Sequence, residues 1–222
     1  MWRIVFLCVL WLAAAALADT AVASGRSAAA EVILRPAITT PYLDADLAAR
    51  RPSDRRAYLK GPLSEHLEGN PRDAAAWAQR AYVLARSGDG LHARRDLKRA
   101  LSLNAGDPMI ARHVRWSGGW TLLNLGDADG ALDLWQQAIE DHGGHPFWAP
   151  YSFALAHWLR GDRAESLRWY SRAALDRPAR WGSAAGVAQV GRGWGPRERE
   201  ALNALFSAWL AEERLRRSQI AT

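Results

Sequence analysis

Three times along its 222 residues the chain repeats one spacing: Gly-Asp, a small residue five positions after the glycine, a bulky residue four further on, and an alanine three beyond that. The copies are Gly88-Asp89 with Ala93, Leu97 and Ala100; Gly126-Asp127 with Ala131, Trp135 and Ala138; and Gly161-Asp162 with Ser166, Tyr170 and Ala173. A fainter fourth copy has Pro196 in place of the glycine, followed by Ala201, Leu205 and Ala208, and successive small residues stand 38, 35 and 35 positions apart. The small, bulky and small positions of a copy share one helical face. Two small residues let a neighbouring helix approach, and the bulky one fills the space between them. The glycine suits the left-handed residue that ends a helix, and the aspartate can cap the next helix through its side-chain oxygen. Each unit therefore reads as helix, tight turn, helix. Units of this kind bury their apolar faces only by stacking.

This pattern resembles the tetratricopeptide-repeat (TPR) family, whose period is about 34 residues and whose first helix carries Trp, Leu-Gly and Tyr at fixed spacing. Trp77, Ala81 and Leu84 stand at those first-helix positions in the first copy, and Pro178 ends the third. The resemblance covers residues 74 to about 179 well and 180 to 210 weakly. It implies an all-α solenoid of three clear helix-turn-helix repeats with a degenerate fourth that serves as a C-terminal capping helix. Two departures stand out. The second copy has Arg115 at the tryptophan position and Gly118-Gly119 in mid-helix, which costs helix stability. In the third, Pro150 occupies that position, so the helix is expected to start near Pro150 with Trp148 in the entry segment.

The flanks complete the layout. Arg3 is followed by an apolar run from Ile4 to Ala18 ending in Ala16-Leu17-Ala18, the form of a secretory signal peptide and short of the roughly 20 residues of a membrane span. Cleavage after Ala18, or after Ala23, would leave a periplasmic or secreted protein without a thiol, since Cys8 is the single cysteine. Residues 1–18 are thus expected to be a signal peptide, 19–52 a flexible lead whose Ala- and Ser-rich part reaches about Thr40, 53–72 an N-terminal capping helix, and 73–217 the solenoid with its cap. Pro196 opens the last helix, with Leu202, Leu205, Phe206 and Trp209 on one stripe.

Net charge is +6. For an exported chain this favours a solvated surface, an anionic lipid or polymer, or an acidic protein face over nucleic acid. No Gly-x-Ser-x-Gly, P-loop, His-Glu-x-x-His or Gly-x-Gly-x-x-Gly motif occurs, so neither catalytic residues, a metal nor a cofactor is expected. His142-Gly143-Gly144-His145 lacks the partners of a metal or oxyanion site and reads as a turn.

The aromatic residues are more informative. The chain has 12 tryptophans. The family resemblance implies a concave groove lined by the first helix of each unit. Carried over by position, its lining is Ala75, Ala78, Tyr82 and Ala85; then His113, Trp116, Trp120 and Leu123; then Trp148, Tyr151, Leu155 and Trp158. Tyr82, His113, Trp116, Trp120, Trp148, Tyr151 and Trp158 are the candidate ligand-binding residues, with Trp116 and Trp120 on one helical face. The same rings could pack between helices instead. The expected function is a non-catalytic scaffold or adaptor of the bacterial cell envelope that holds an extended segment or helix of another envelope protein. The alternative is a protein that binds cell-wall or exopolysaccharide glycan.

Overall fold

A computed structural model describes residues 40–49, 60–103 and 106–220. The expected signal peptide and residues 53–59 of the expected capping helix lie outside them. The described residues form ten α-helices and no strand beyond an isolated parallel bridge between Asp44 and Pro146. The fold is all-α. In chain order the helices are α1 (Lys60–Gly69), α2 (Ala74–Arg86), α3 (Gly90–Leu103), α4 (Pro108–Asn124), α5 (Ala128–His142), α6 (Ala149–Arg160), α7 (Arg163–Asp176), α8 (Pro178–Trp181), α9 (Ala184–Gly191) and α10 (Pro196–Ile220), preceded by a 3-10 turn at Leu47–Ala49. None of these helices is long and apolar enough to cross a membrane.

The repeat spacing creates one turn three times. Gly88, Gly126 and Gly161 take left-handed φ values of 83°, 83° and 92°. The following aspartate then donates its backbone N–H to the carbonyl five residues back, at 2.9 Å in each case: Asp89 to Leu84, Asp127 to Leu122 and Asp162 to His157. Its side chain caps the next helix, accepting from the backbone N–H of His92, Gly130 and Glu165 respectively, each cap being worth about 1 kcal/mol. The pairs α2–α3, α4–α5 and α6–α7 close through these turns. All nine repeat positions, from Ala93, Leu97 and Ala100 to Ser166, Tyr170 and Ala173, are buried. As expected, α6 starts at Ala149 with Pro150 in its first turn and Trp148 just before it.

Side-chain size decides how closely successive pairs approach. Between α2 and α4 lie Ala78, Ala81 and Ser117, and the Ser117 hydroxyl reaches the carbonyl of Ala78. A Cβ on Gly118 would stand 2.8 Å from Leu97 and 2.9 Å from Leu134. A Cβ on Gly119 would collide with the indole of Trp135, which donates its N–H to the Trp116 carbonyl at 3.0 Å. The two glycines that weaken α4 as a helix are therefore what lets Leu97 of α3 and Leu134 and Trp135 of α5 seat on it. Between α4 and α6 the small residues give way to Trp116, Trp120 and Tyr151, and α4 does not run along α6 as it does along α2.

The ends are closed differently. Leu63 and Leu67 of α1 cover Ala76, Trp77 and Val83. At the other end α10 lies on α6 and α7, burying Leu202, Leu205 and Phe206, with Phe206 and Trp209 near Tyr170. The weak fourth copy differs from a plain helix pair, because its first half is broken into α8 and α9. Ser183 caps α9 through the N–H of Gly186, and Gly186 sits so close to the carbonyls of Ala179 and Arg180 that no side chain fits.

Two measurements test this packing. Glycine to alanine inside a helix ordinarily stabilises by up to about 1 kcal/mol. Gly61→Ala, with nothing within 4 Å of its Cβ position, should follow that rule in a thermal melt, whereas Gly119→Ala should destabilise by about 1–3 kcal/mol through overpacking on Trp135. The second concerns His157, whose pKa is lowered from 6.5 to about 4 by burial, then by Arg160, against the opposing pull of Asp162. Because its folded pKa is depressed, the unfolded chain binds the extra proton first. Stability should fall as pH drops from 6.5 towards 4, by about 3 kcal/mol. In denaturant titrations across that window His157→Gln should lose this dependence.

Candidate functional site

The wide gap between α4 and α6 is filled by rings. Trp120 lies 5.1 Å from Trp135, 5.4 Å from Trp194 and 6.3 Å from Tyr151, and Tyr151 stacks on Trp181 at 4.6 Å. Rigid planar groups of this size do not fill the space completely. A cavity of about 430 Å³ remains, lined by Trp116, Trp120, Phe147, Tyr151, Trp194 and Arg180 together with Ala49 and Val190. Trp116 and Trp120 are both more than nine-tenths buried, so they form fixed walls of the cavity and belong to the core as well. Their indole nitrogens find no hydrogen-bond partner among the described residues.

A second cavity of about 500 Å³ adjoins the first, and the two share Arg180 and Val190. Ala179, Gly186, Gln189 and Gly193 complete its lining. The arginine between the cavities is exposed. Its guanidinium lies 5.7 Å from the Trp181 ring and makes no hydrogen bond or ion pair with any described residue. Arg177, one turn earlier, lies 4.9 Å over the Phe147 ring, and its Nε is buried without a partner.

On the other side of the cavity the expected groove is occupied by the chain itself. Residues 41–49, part of the segment expected to be a flexible lead, are packed against α4, α5 and the start of α6. Their anchor is Asp46, 3% exposed, whose carboxylate accepts from Arg112 Nε at 2.9 Å, Trp148 Nε1 at 2.9 Å and the backbone N–H of Ala48 at 3.0 Å. Asp44 exchanges backbone hydrogen bonds with His145 and Phe147, Tyr42 N–H donates to Asp176, and Nδ1 of His113 meets the carbonyl of Ala48 at 2.6 Å. The segment stays because its buried carboxylate is satisfied by three donors.

The seven candidate residues are thus divided. Trp116, Trp120 and Tyr151 are brought together around the cavity. His113 stands beside Trp116, at 6.2 Å between rings, and holds the docked segment. Trp148 is fully buried with its N–H on Asp46, so it anchors the segment rather than facing an open groove. Tyr82 carries Arg86 at 5.7 Å, Trp158 carries Arg163 at 3.5 Å, and neither lines the cavity. Position-by-position transfer missed Phe147, Arg180 and Trp194. The two tryptophans set among glycines and arginines at 181 and 194 were the available signal for this region.

His142-Gly143-Gly144-His145 is a turn. Gly143 takes a left-handed φ of 71°, and a Cβ on Gly144 would lie 2.6 Å from the Asp44 carboxylate. The histidines receive the docked segment: His142 Nε2 lies 3.4 Å from the Ala45 carbonyl, and His145 donates its backbone N–H to Asp44. Among the described residues no group of three or more His, Cys, Asp or Glu is placed to hold a metal ion. No family model, no curated protein and no solved structure matches the chain.

Asp46→Ala should release residues 41–49 and leave the helix pairs folded. In limited proteolysis the variant should be cut between Pro41 and Ala49 where the parent resists. The melting transition should fall by less than the roughly 3–5 kcal/mol of a broken buried pair, because the freed Arg112 regains water.

Proposed function

We propose that the chain is a non-catalytic binding protein of tetratricopeptide type, exported to the cell envelope, that holds a ring-shaped ligand in the aromatic cavity between α4 and α6. The observation that carries this reading is the cavity itself. At about 430 Å³ it falls within the size of small-ligand pockets, and its walls combine five aromatic side chains with one guanidinium. The export half of the proposal rests on the apolar run and small-residue triplet that precede Asp19.

Of the two ligand classes expected from the sequence, the geometry favours a glycan over an extended segment or helix of a partner protein. A helix or strand laid along the concave face needs an open groove spanning several units. Here residues 41–49 take one side of that face, and α8, α9 and Trp194 take the other. What remains is a half-open recess about one ring wide, with polar and apolar wall together. A sugar ring presents the matching surface, apolar C–H patches edged by hydroxyls, and aromatic walls offer such patches large contact at small entropic cost.

Truncating Trp120 would unfold as much as it tests, since removing a buried tryptophan costs about 3–5 kcal/mol. Filling the cavity is the cleaner experiment. Val190→Trp places an indole at the mouth and should melt within about 1 kcal/mol of the parent. Intrinsic tryptophan fluorescence of the parent should shift on adding soluble cell-wall or exopolysaccharide fragments, and that of Val190→Trp should not. A parent that ignores every glycan yet retains an envelope protein in a crosslinking pull-down would return the adaptor reading to first place.

A further inference from the structure

We propose that the two contiguous cavities take consecutive rings of an acidic glycan of the uronic-acid class, with Arg180 holding a ring carboxylate at the junction. This rests on the glycan reading above and specifies its ligand.

Charge is the first support. Arg180 is matched to none of the described residues, and no carboxylate lines either cavity. Arg177, which lines neither cavity, holds a second positive charge 4.9 Å over the ring of Phe147. An aromatic recess with a guanidinium in its lining disfavours a cationic occupant, which an aromatic lining alone would welcome. It suits an anion instead, and the planar fork of an arginine matches a carboxylate by two parallel hydrogen bonds.

Placement is the second support. Arg180 does not sit at the bottom of one pocket. It stands between a ring-lined cavity and a neighbouring one that carries the amide of Gln189. A single small acid would use one side only. A polymer with a carboxylate on every ring uses both: one ring enters among Trp116, Trp120 and Trp194, the next lies over α9 within reach of Gln189, and the carboxylate between them meets the guanidinium. The half-open form of both cavities leaves the chain free to continue outward at either end.

The test is calorimetric titration of the mature protein with tetragalacturonic acid and with the same tetrasaccharide after its carboxyls are reduced to hydroxymethyl groups. The acidic oligomer should bind, and should bind more tightly than galacturonic acid monomer. The reduced one should bind at least about tenfold more weakly, as loss of a charge-assisted pair requires. Arg180→Gln should weaken the acidic oligomer by a similar factor and leave the reduced one unchanged. Arg180→Lys should fall between. Arg94→Gln with Arg99→Gln, both exposed on α3, should bind like the parent, which separates the cavity from general attraction to a basic surface. Equal binding of acidic and reduced oligomers, or indifference to Arg180→Gln, overturns the acidic specificity and leaves the glycan reading standing. Failure of both oligomers to bind, with the wall-fragment fluorescence response also missing, overturns the two together.

Discussion

The width of the gap between neighbouring first helices governs everything distinctive about this molecule. Where α2 meets α4 the facing residues are small, Ala78, Ala81 and Ser117 among them, and the backbones draw together until a hydroxyl reaches a carbonyl across the interface. Where α4 would meet α6 the facing residues are Trp116, Trp120 and Tyr151, and the helices stand apart. Dispersion favours filling such a gap, yet indoles and phenols are flat and stiff, so they leave a recess where flexible aliphatic chains would have closed it. Trp120 belongs to both worlds. It packs on Trp135, the bulky residue of the second repeat, and its far side forms cavity wall. The stability of the stack and the shape of the site are therefore set by the same side chain.

Two segments outside the helix pairs finish the site by closing around it. Residues 41–49 are pinned by Asp46, and the region from Pro178 to Gly195 is pinned by rings, with Trp181 on Tyr151 and Tyr170 donating its hydroxyl to the Trp181 carbonyl. Burial of that phenol, with no charged partner, pushes its pKa well above the usual tyrosine value. One closure is ionic and the other aromatic. The first centres on one satisfied carboxylate with backbone hydrogen bonds to either side of it, and the second spreads its energy over many ring contacts.

Much of the fold was legible in the residues, for local reasons. Glycine at 88, 126 and 161, aspartate after it and small residues at fixed spacing act within one turn of chain or across one helix pair, so periodicity alone reveals them. The start of α6 at Pro150 was legible for the same reason. The site was legible only in part. Trp116, Trp120 and Tyr151 follow from repeat register, but Arg180 and Trp194 enter from a unit whose repeat pattern has decayed, and register says nothing there. The docking of residues 41–49 was hidden more deeply. It joins Asp46 to Arg112 and Trp148 across 66 and 102 positions of sequence, and an Ala-rich lead gives no sign of where one aspartate will find its donors. Gly118 and Gly119 show the opposite failure: their helix cost was visible, and the close approach that repays it was not.

The claim that the recess between α4 and α6 holds the ligand is tested most directly by the indole N–H signals of the uniformly ¹⁵N-labelled protein during titration with tetragalacturonic acid. Trp116, Trp120 and Trp194 should move together and saturate at one ligand concentration, while Trp148 on Asp46 and Trp169 in the core hold their positions. Signals of the three cavity tryptophans that stay fixed while binding saturates elsewhere, at Trp158 for example, would contradict it.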